Sequence, residues 1–269
     1  MSRVASLGMY DHPAQQAAND DLWRGIAARL RDAGIDGVPE RLDRSRSVET
    51  IWRDPDLLLA QACGYPLIGA DAPAVRVVAL PVYDVAGCDG PRHRSVLVAR
   101  ATDRRATLAE FRGARAAINA PTSNTGMNLL RAAVAPFARG APFFSDVIVT
   151  GGHRASVEAI AHQTADCGAI DSVTWAALRR YVPVLTEDVR VIGTTETTTA
   201  LPFVTIGTAT DSEIAAIRTA LAAIITDPTL AAARDAVFLR DIVAADEAVL
   251  APVRATEGAA AALGYPILR

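Results

Sequence analysis

The segment Asn119-Ala-Pro-Thr-Ser-Asn-Thr-Gly126 decides how the rest of the chain is interpreted. Residues 114–119, which lead into this segment, are typical of a short buried strand, and the apolar residues of 127–139 recur at the spacing of one helix face. Ser, Thr and Asn side chains cap helices by accepting hydrogen bonds from free N–H groups, and those same groups bind anions. Gly126 has no Cβ, which lets a ligand approach the backbone. The segment predicts a strand–turn–helix unit whose turn either caps the helix alone or also holds an anion.

The composition is that of a globular protein. The 269 residues exceed the usual size of a single core, and 51% of them are hydrophobic while 21% are charged. The net charge of -3 and the lack of a strongly basic stretch argue against a nucleic-acid partner. No window approaches about 18 consecutive apolar residues, so no insertion into a membrane is expected.

The N-terminus and the cysteines bear on the compartment in which the protein works. Residues 1–9 enter a strand-like run without the basic, apolar and small-residue regions of a signal peptide. A cytoplasmic location is therefore expected, or a periplasmic one if a leader has been removed. Cys63, Cys88 and Cys167 are widely spaced and form no CxxC pair, which suits a reducing compartment and argues against a zinc ribbon.

Strand and helix patterns alternate along the chain, which indicates an α/β fold with mostly parallel sheets. A compact block lies between two extended segments, 93–99 and 201–208. An inserted second lobe would make both segments crossovers. The predicted lobes are 1–95 with 202–269, and 96–201. Their central cleft is expected at the carboxyl ends of the strands, where open α/β sheets bind ligands.

Polar residues recur just after predicted strands, at the positions that such a cleft would use. Several also have a purely structural explanation. Tyr65 is compatible with a packed aromatic, His153 with a backbone-bonded residue at a helix start, and Asp171 with the N-cap of the next helix. The residues in question are Tyr10, Cys63, Tyr65, Tyr83, Ser123, Asn124, Thr125, Gly126, His153 and Asp171.

Four segments resemble the PhnD-like phosphonate, phosphite and phosphate substrate-binding proteins of ABC transporters. They are Asp56–Tyr65, Ser123–Gly126, His153 with the helix after it, and Gly168–Asp171. The resemblance extends over nearly the whole chain. It implies a type II periplasmic-binding-protein-like fold with two lobes and two crossover strands. It also implies an ABC-transporter permease as a partner.

The resemblance also implies roles for individual residues. Residues 123–126 match the family's turn that grips the phosphonate oxygens, with Thr125 in place of a second serine. Tyr65 matches a tyrosine after the third strand, His153 a histidine on the oxyanion, and Asp171 an acid that binds the ligand's amine.

Two departures from the family pattern concern the end of the ligand that bears the amine. His93, a further candidate ligand-binding residue, stands where the family has a second tyrosine, and residues 197–200 contain no match for a further acid. The resemblance therefore implies an anion subsite, while specificity for aminoalkylphosphonates is not supported.

The motifs of several other function classes do not occur. The sequence has no G-x-G-x-x-G after a strand, no Walker A motif and no G-x-S-x-G elbow. His153 and His162 are too far apart for an i, i+4 ligand pair, and HExxH is absent. Neither a metal nor a cofactor is therefore expected.

Three functions remain open on the sequence alone. The favoured one is a binding protein, rather than an enzyme, that closes by hinge motion on a small anionic metabolite, either phosphonate- or phosphate-like or a carboxylate. The second is a cytoplasmic enzyme of cofactor or quinone biosynthesis on the same scaffold, with Cys63, His153 and Asp171 as candidate reactive groups. The third is a ligand sensor that reports to a protein partner.

Overall fold

The computed structural model describes residues 3–269, and its secondary structure alternates along the chain. The strands are β1 (Val4–Ser6), β2 (Leu57–Gln61), β3 (Val75–Tyr83), β4 (Arg92–His93), β5 (Ser95–Arg100), β6 (Arg115–Ile118), β7 (Asp146–Val149), β8 (Cys167–Asp171), β9 (Val189–Thr194), β10 (Thr198–Thr199), β11 (Phe203–Ile206) and β12 (Leu239–Ala244). The helices are α1 (Gln16–Asp32), α2 (Val48–Trp52), α3 (Leu129–Ala138), α4 (His153–Ala161), α5 (Ser172–Tyr181), α6 (Pro183–Glu187), α7 (Asp211–Thr226), α8 (Ala231–Ala236) and α9 (Ala251–Ala262). A π-helical segment, Asn124–Asn128, precedes α3. Shorter 3-10 segments are Gly8–Tyr10, Pro13–Gln15, Leu108–Phe111, Pro228–Leu230 and Glu247–Leu250.

The described chain divides into two compact units. The first comprises residues 3–84, 89–91 and 199–250, and the second comprises 85–88, 92–198 and 251–269. The predicted first lobe contains all of 202–269, whereas residues 251–269 belong to the second unit of the structure. The reason lies in tertiary packing, because α9 packs against α3 there and its Val253 is fully buried.

The first unit is built on a five-stranded sheet in the order β1-β2-β11-β3-β12. β1 and β2 pair in parallel, and the other pairings are antiparallel. Helices α1, α7 and α8 pack together on this sheet, and their apolar faces form much of the core. The buried side chains of these helices include Trp23, Ile26, Leu30, Ile217 and Leu221.

The second unit is built on a five-stranded sheet in the order β7-β6-β8-β5-β9. β6 pairs in parallel with β7 and β8, while β5 runs antiparallel to both β8 and β9. Helices α4, α5 and α6 cover it over a core that includes Val98, Ile160 and Leu178. The carboxyl end of β8 leads directly into α5, and that of β6 leads through residues 119–123 into the π-helical segment.

The prediction of mostly parallel sheets is wrong. Parallel pairing needs a crossover within the same sheet, usually through a helix, and such crossovers link β6, β7 and β8. β5 lies between β8 and β9 and runs in the opposite direction to both. β11 and β12 likewise run antiparallel to their neighbour β3.

No single helix within residues 3–269 meets both the length and the hydropathy of a membrane span. Taken together, α7 and the segment Pro228–Ala236 meet them by length and composition, but the pair is bent by 73°.

Candidate functional site

The turn after β6 forms the start of a helix, as the sequence predicts. The side-chain oxygen of Ser123 accepts a hydrogen bond of 2.9 Å from the backbone N–H of Gly126, so Ser123 is the N-cap. Residues 124–128 then form a π-turn, in which the N–H of Asn128 bonds to the carbonyl of Ser123 at 3.0 Å. The π-helix occurs mostly as single turns within α-helices, and such turns are frequent at functional sites. The side chains of Asn124 and Thr125 are almost fully buried.

Thr125 joins this turn to two neighbouring elements of the second unit. Its hydroxyl lies 3.0 Å from Nε2 of His153, the first residue of α4. Its carbonyl accepts a hydrogen bond of 2.8 Å from the hydroxyl of Ser95 at the start of β5. The structure therefore brings Thr125 and His153 together, as the predicted anion subsite requires.

The environment of His153 determines its charge in the ligand-free protein. Burial lowers the pKa of His153; nearby Asp171 raises it in part, and His93 lowers it further. The net shift is downward from the ordinary value of 6.5. The imidazole is therefore mostly neutral at pH 7 when no anion lies beside it.

The space next to Gly126 is filled from within the protein. A Cβ at this position would lie 1.8 Å from Oδ1 of Asn119 and 3.2 Å from Cε1 of His153. The glycine is predicted from the sequence to allow the approach of a ligand, whereas in the structure the carboxamide of Asn119 occupies the place of a side chain. Oδ1 of Asn119 is buried and accepts no hydrogen bond from the described residues.

Asp171 and His93 form a buried pair in the second unit. Oδ2 of Asp171 lies 3.1 Å from Nδ1 of His93, and the exposed fractions of the two side chains are 2% and 0%. Oδ1 of Asp171 accepts hydrogen bonds from the N–H groups of Val173 and Thr174, so Asp171 is also the N-cap of α5. Both carboxylate oxygens are thus used within the protein, which favours the capping alternative left open by the sequence.

The pKa of Asp171 reflects this pairing. Burial alone raises the pKa of the carboxyl group, but the charge and the hydrogen bond of His93 lower it, as do His153 and the N–H of Thr174. The lowering effects exceed the effect of burial, and the pKa lies below the usual 3.8. Asp171 is therefore a carboxylate in the folded protein.

The remaining predicted site residues, Tyr10, Cys63 and Tyr65, belong to the first unit. Tyr10 is buried, and its ring packs edge-on against Tyr83 with the ring centroids 5.3 Å apart. Both tyrosines line a small cavity of about 30 Å³ in this unit. Cys63 is buried and Tyr65 is half-buried, both just after β2. The roles of these three residues in ligand binding stay predictions.

Two polar residues near the turn were not predicted from the sequence as site residues. Asn119 begins the quoted segment and follows β6 directly, a position that could have identified it. Asn128 lies one helical turn beyond the capping residues and is fully buried, with its Nδ2 2.9 Å from Oδ1 of Asn124. An asparagine among apolar helix positions was the available signal. The described part of the chain holds no group of three or more His, Cys, Asp or Glu side chains placed to bind a metal ion.

A family model decides the classification of the chain. The model for the periplasmic substrate-binding proteins of phosphonate ABC transporters matches residues 54–257. The chain belongs to this family. This confirms the predicted family and the predicted class of function, that of a substrate-binding protein. Members of the family are periplasmic ligand-binding proteins, and their partner is a transporter permease.

Solved structures confirm the predicted type II periplasmic-binding-protein fold. A binding component of a phosphonate ABC transporter from Pseudomonas aeruginosa is 14% identical, with a TM-score of 0.77 over 97% of this chain and 87% of that one. A PhnD protein of Prochlorococcus marinus in complex with methylphosphonate is 14% identical, with a TM-score of 0.73 over 96% and 97%. A Xanthomonas citri protein bound to a chloride ion is 14% identical, with a TM-score of 0.72 over 97% and 98%. No curated protein sequence matches the chain.

Proposed function

We propose that the chain binds a small oxyanion of the phosphonate or phosphate type in the periplasm and presents it to an ABC-transporter permease. The observation that carries this proposal is the hydrogen-bond contact between Thr125 and His153 at the capped start of a helix. The first residues of a helix offer N–H groups that no carbonyl of the helix accepts, and the helix dipole favours a negative charge there. A hydroxyl, an imidazole and these N–H groups together suit an anion with several oxygens.

The proposed ligand has no ammonium group. Asp171, the carboxylate that the family resemblance assigns to a ligand amine, is buried against His93 and caps α5. Residues 197–200 supply no other acid. The same occupation of Asp171 favours binding over turnover, since Asp171 is one of the candidate acid–base groups of the enzyme alternative.

Isothermal titration of the full chain with inorganic phosphate, methylphosphonate and an aminoalkylphosphonate tests the proposal. We expect phosphate or methylphosphonate to bind, and the aminoalkylphosphonate to bind no more tightly than methylphosphonate. Ser123→Ala is expected to weaken binding by about tenfold, because a hydrogen bond to a charged ligand contributes roughly 1.5–3 kcal/mol. Tight binding of the aminoalkylphosphonate alone would contradict the proposed ligand class.

A matched variant separates the loss of a ligand contact from the loss of a helix cap. Ser47 caps α2 by accepting the N–H of Thr50 at 3.2 Å, in the first unit. Ser47→Ala removes a comparable cap and is expected to leave the affinity unchanged. If Ser123→Ala and Ser47→Ala change the affinity equally, the turn has no special role in binding.

The affinity is expected to depend on pH through His153. Its pKa lies below 6.5 in the free protein, and an anion beside the ring raises the pKa in the complex. Binding therefore takes up a proton, and the affinity falls as the pH rises between these two values. The ratio of the affinities of the wild type and His153→Asn, measured for phosphate from about pH 5.5 to 8.5, is expected to shrink toward high pH. The ratio cancels the titration of phosphate itself, so a constant ratio would mean that His153 contributes no charge.

A further inference from the structure

A chain of buried polar side chains runs from the C-terminal segment of the second unit to residues 123–128, the proposed anion-binding turn, which we call the anion turn. Nη1 of Arg131 donates to the carbonyl of Pro266 at 2.7 Å, and Nη2 donates to Oδ1 of Asn128 at 2.6 Å. Nδ2 of Asn128 donates to Oδ1 of Asn124 at 2.9 Å, and Nδ2 of Asn124 donates to Thr198 at 3.1 Å. We call the side chains of Arg131, Asn128 and Asn124 the buried relay.

The members of the buried relay are almost inaccessible to solvent. Asn128 is fully buried, while Arg131 and Asn124 have exposed fractions of 4% and 1%. A buried polar group that loses its partner pays its full desolvation cost, so these bonds resist being broken singly. A displacement of Arg131 is therefore expected to move Asn128, and a displacement of Asn128 to move Asn124.

The C-terminal segment is held to the same unit by further bonds. The carbonyl of Arg269 accepts hydrogen bonds from the N–H groups of Phe143 and Phe144, at 2.7 and 3.2 Å. Tyr265 is buried, and its hydroxyl accepts a hydrogen bond from the N–H of Arg269 at 3.0 Å. Residues 263–269 are thus docked at a defined position, which fixes the carbonyl of Pro266 toward Arg131.

The buried relay spans the π-turn that carries the proposed anion site. The N–H groups of Asn128 and Leu129 bond to the carbonyls of Ser123 and Asn124, five residues back, where an α-helix would bond four back. The side-chain bond from Asn128 to Asn124 bridges this wider turn. Relaxation to an α-helix would rotate the turn by about 100° relative to α3 and move Thr125 away from His153.

We infer that Arg131 is a positioning residue for the anion turn, and that through it the docking of residues 263–269 is coupled to the geometry of residues 124–128. The inference rests on the proposed function only where it concerns ligand affinity. Coupling of this kind is reciprocal: whatever loosens the C-terminal segment loosens the turn, and an anion that fixes the turn fixes the segment.

Hydrogen–deuterium exchange of the full chain without ligand tests the coupling. Arg131→Met removes the guanidinium and with it the hydrogen bonds to Pro266 and Asn128. We expect exchange to become about tenfold or more faster in 124–129 and also in 263–269, relative to strands β6 and β8. Leu130→Ala is the matched control, because Leu130 is a fully buried apolar neighbour on the same helix and its truncation leaves the buried relay intact. Equal patterns in the two variants would overturn the inference.

Arg131→Lys provides a second, milder variant in case Arg131→Met does not fold. A lysine ammonium can reach one of the two acceptors but lacks the fork that joins them. We expect intermediate exchange rates in both segments. Faster exchange near residue 131 with unchanged exchange in 263–269 would also overturn the inference.

Hydrogen–deuterium exchange in the presence of inorganic phosphate is the part of the test that depends on the proposed function. At saturation, phosphate is expected to slow exchange in 263–269 of the wild type. Arg131→Lys is expected to bind phosphate about tenfold more weakly and to lose most of this protection. If the wild type binds neither phosphate nor methylphosphonate, the proposed function fails, while the ligand-free measurement still decides the coupling. Phosphate binding without any protection of 263–269 would contradict the coupling alone.

Discussion

Replacing Asp171 with alanine is expected to lower the thermal midpoint of the protein by about 10 °C. The substitution leaves Nδ1 of His93 buried without its carboxylate, 3.1 Å from where Oδ2 had been. It also removes the acceptor for the N–H groups of Val173 and Thr174 at the start of α5. Breaking a buried pair by removing one partner typically costs about 3–5 kcal/mol. Thermal unfolding followed by circular dichroism measures the effect.

Two further variants separate the part of this stability loss due to the helix cap from the part due to the pair with His93. Thr210 caps α7 by accepting the N–H of Glu213 at 3.2 Å, at an exposed helix start. Thr210→Ala removes a cap alone and is expected to cost about 1 kcal/mol. Asp171→Asn keeps an oxygen for the cap but loses the carboxylate charge, and it is expected to lie between the two. An Asp171→Ala loss no larger than that of Thr210→Ala would mean that the pair with His93 contributes nothing.

The stability that the Asp171 carboxylate contributes is expected to decrease at acidic pH. The pKa of Asp171 in the folded protein lies below 3.8, its usual value in an unfolded chain. The stability that its carboxylate contributes is therefore fully present above this value and is lost as the pH falls through the folded pKa. The difference in free energy of unfolding between the wild type and Asp171→Asn is expected to shrink below about pH 4. Urea unfolding at a series of acidic pH values measures it.

The sequence predicts the capped helix start at residues 123–126 because the forces that shape it are local. Helical spacing of apolar residues after residue 126 and a Ser at the start of the helix are both readable within a short window. The π-turn is not readable in this way. It depends on Asn128 and Arg131, whose bonds reach Asn124 within the helix and Pro266 at the far end of the chain.

The pairing of His93 with Asp171 could not be predicted from the sequence, because it depends on the direction and register of β5 against β8. β5 and β8 run antiparallel with Ser95 opposite Asp171, and this register brings the end of β8 beside β4. Hydrophobic patterns of buried parallel and buried antiparallel strands are alike, so the direction of β5 was not predictable. Without that direction, Asp171 could be interpreted either as a cap or as a residue that binds ligand.

The assignment of residues 251–269 to the second unit also depends on contacts between residues that are distant in the sequence. The Ala-rich residues after position 211 predict helices but not the surface on which each helix packs. Val253 and Tyr265 are buried in the second unit, where Arg131 and residues 143–144 contact the segment. These contacts join residues more than 100 positions apart and exist only once the unit is folded.

Gly126→Val is expected to weaken the binding of phosphate or methylphosphonate by about tenfold to a hundredfold. A Cβ at this position would lie 1.8 Å from Oδ1 of Asn119, 2.9 Å from its Cγ and 3.2 Å from Cε1 of His153. The backbone of Gly126 has no positive φ, so the effect is steric rather than conformational. Either Asn119 or the turn must move, and a movement of the turn displaces Thr125 from His153. Isothermal titration of the folded variant measures the loss.

The cause of that loss can be tested through Asn119 itself. Gly126→Ala alone introduces the steric clash with Oδ1 of Asn119, and adding Asn119→Ala removes that oxygen. We expect the double variant to recover most of the affinity lost in Gly126→Ala, which a double-mutant cycle with Asn119→Ala expresses as a coupling free energy. Gly258→Ala serves as the control, because a Cβ at this position of α9 meets nothing within 4 Å. If the second substitution restores nothing while Gly258→Ala is neutral, Asn119 does not support the turn, and Gly126 is required by the ligand instead.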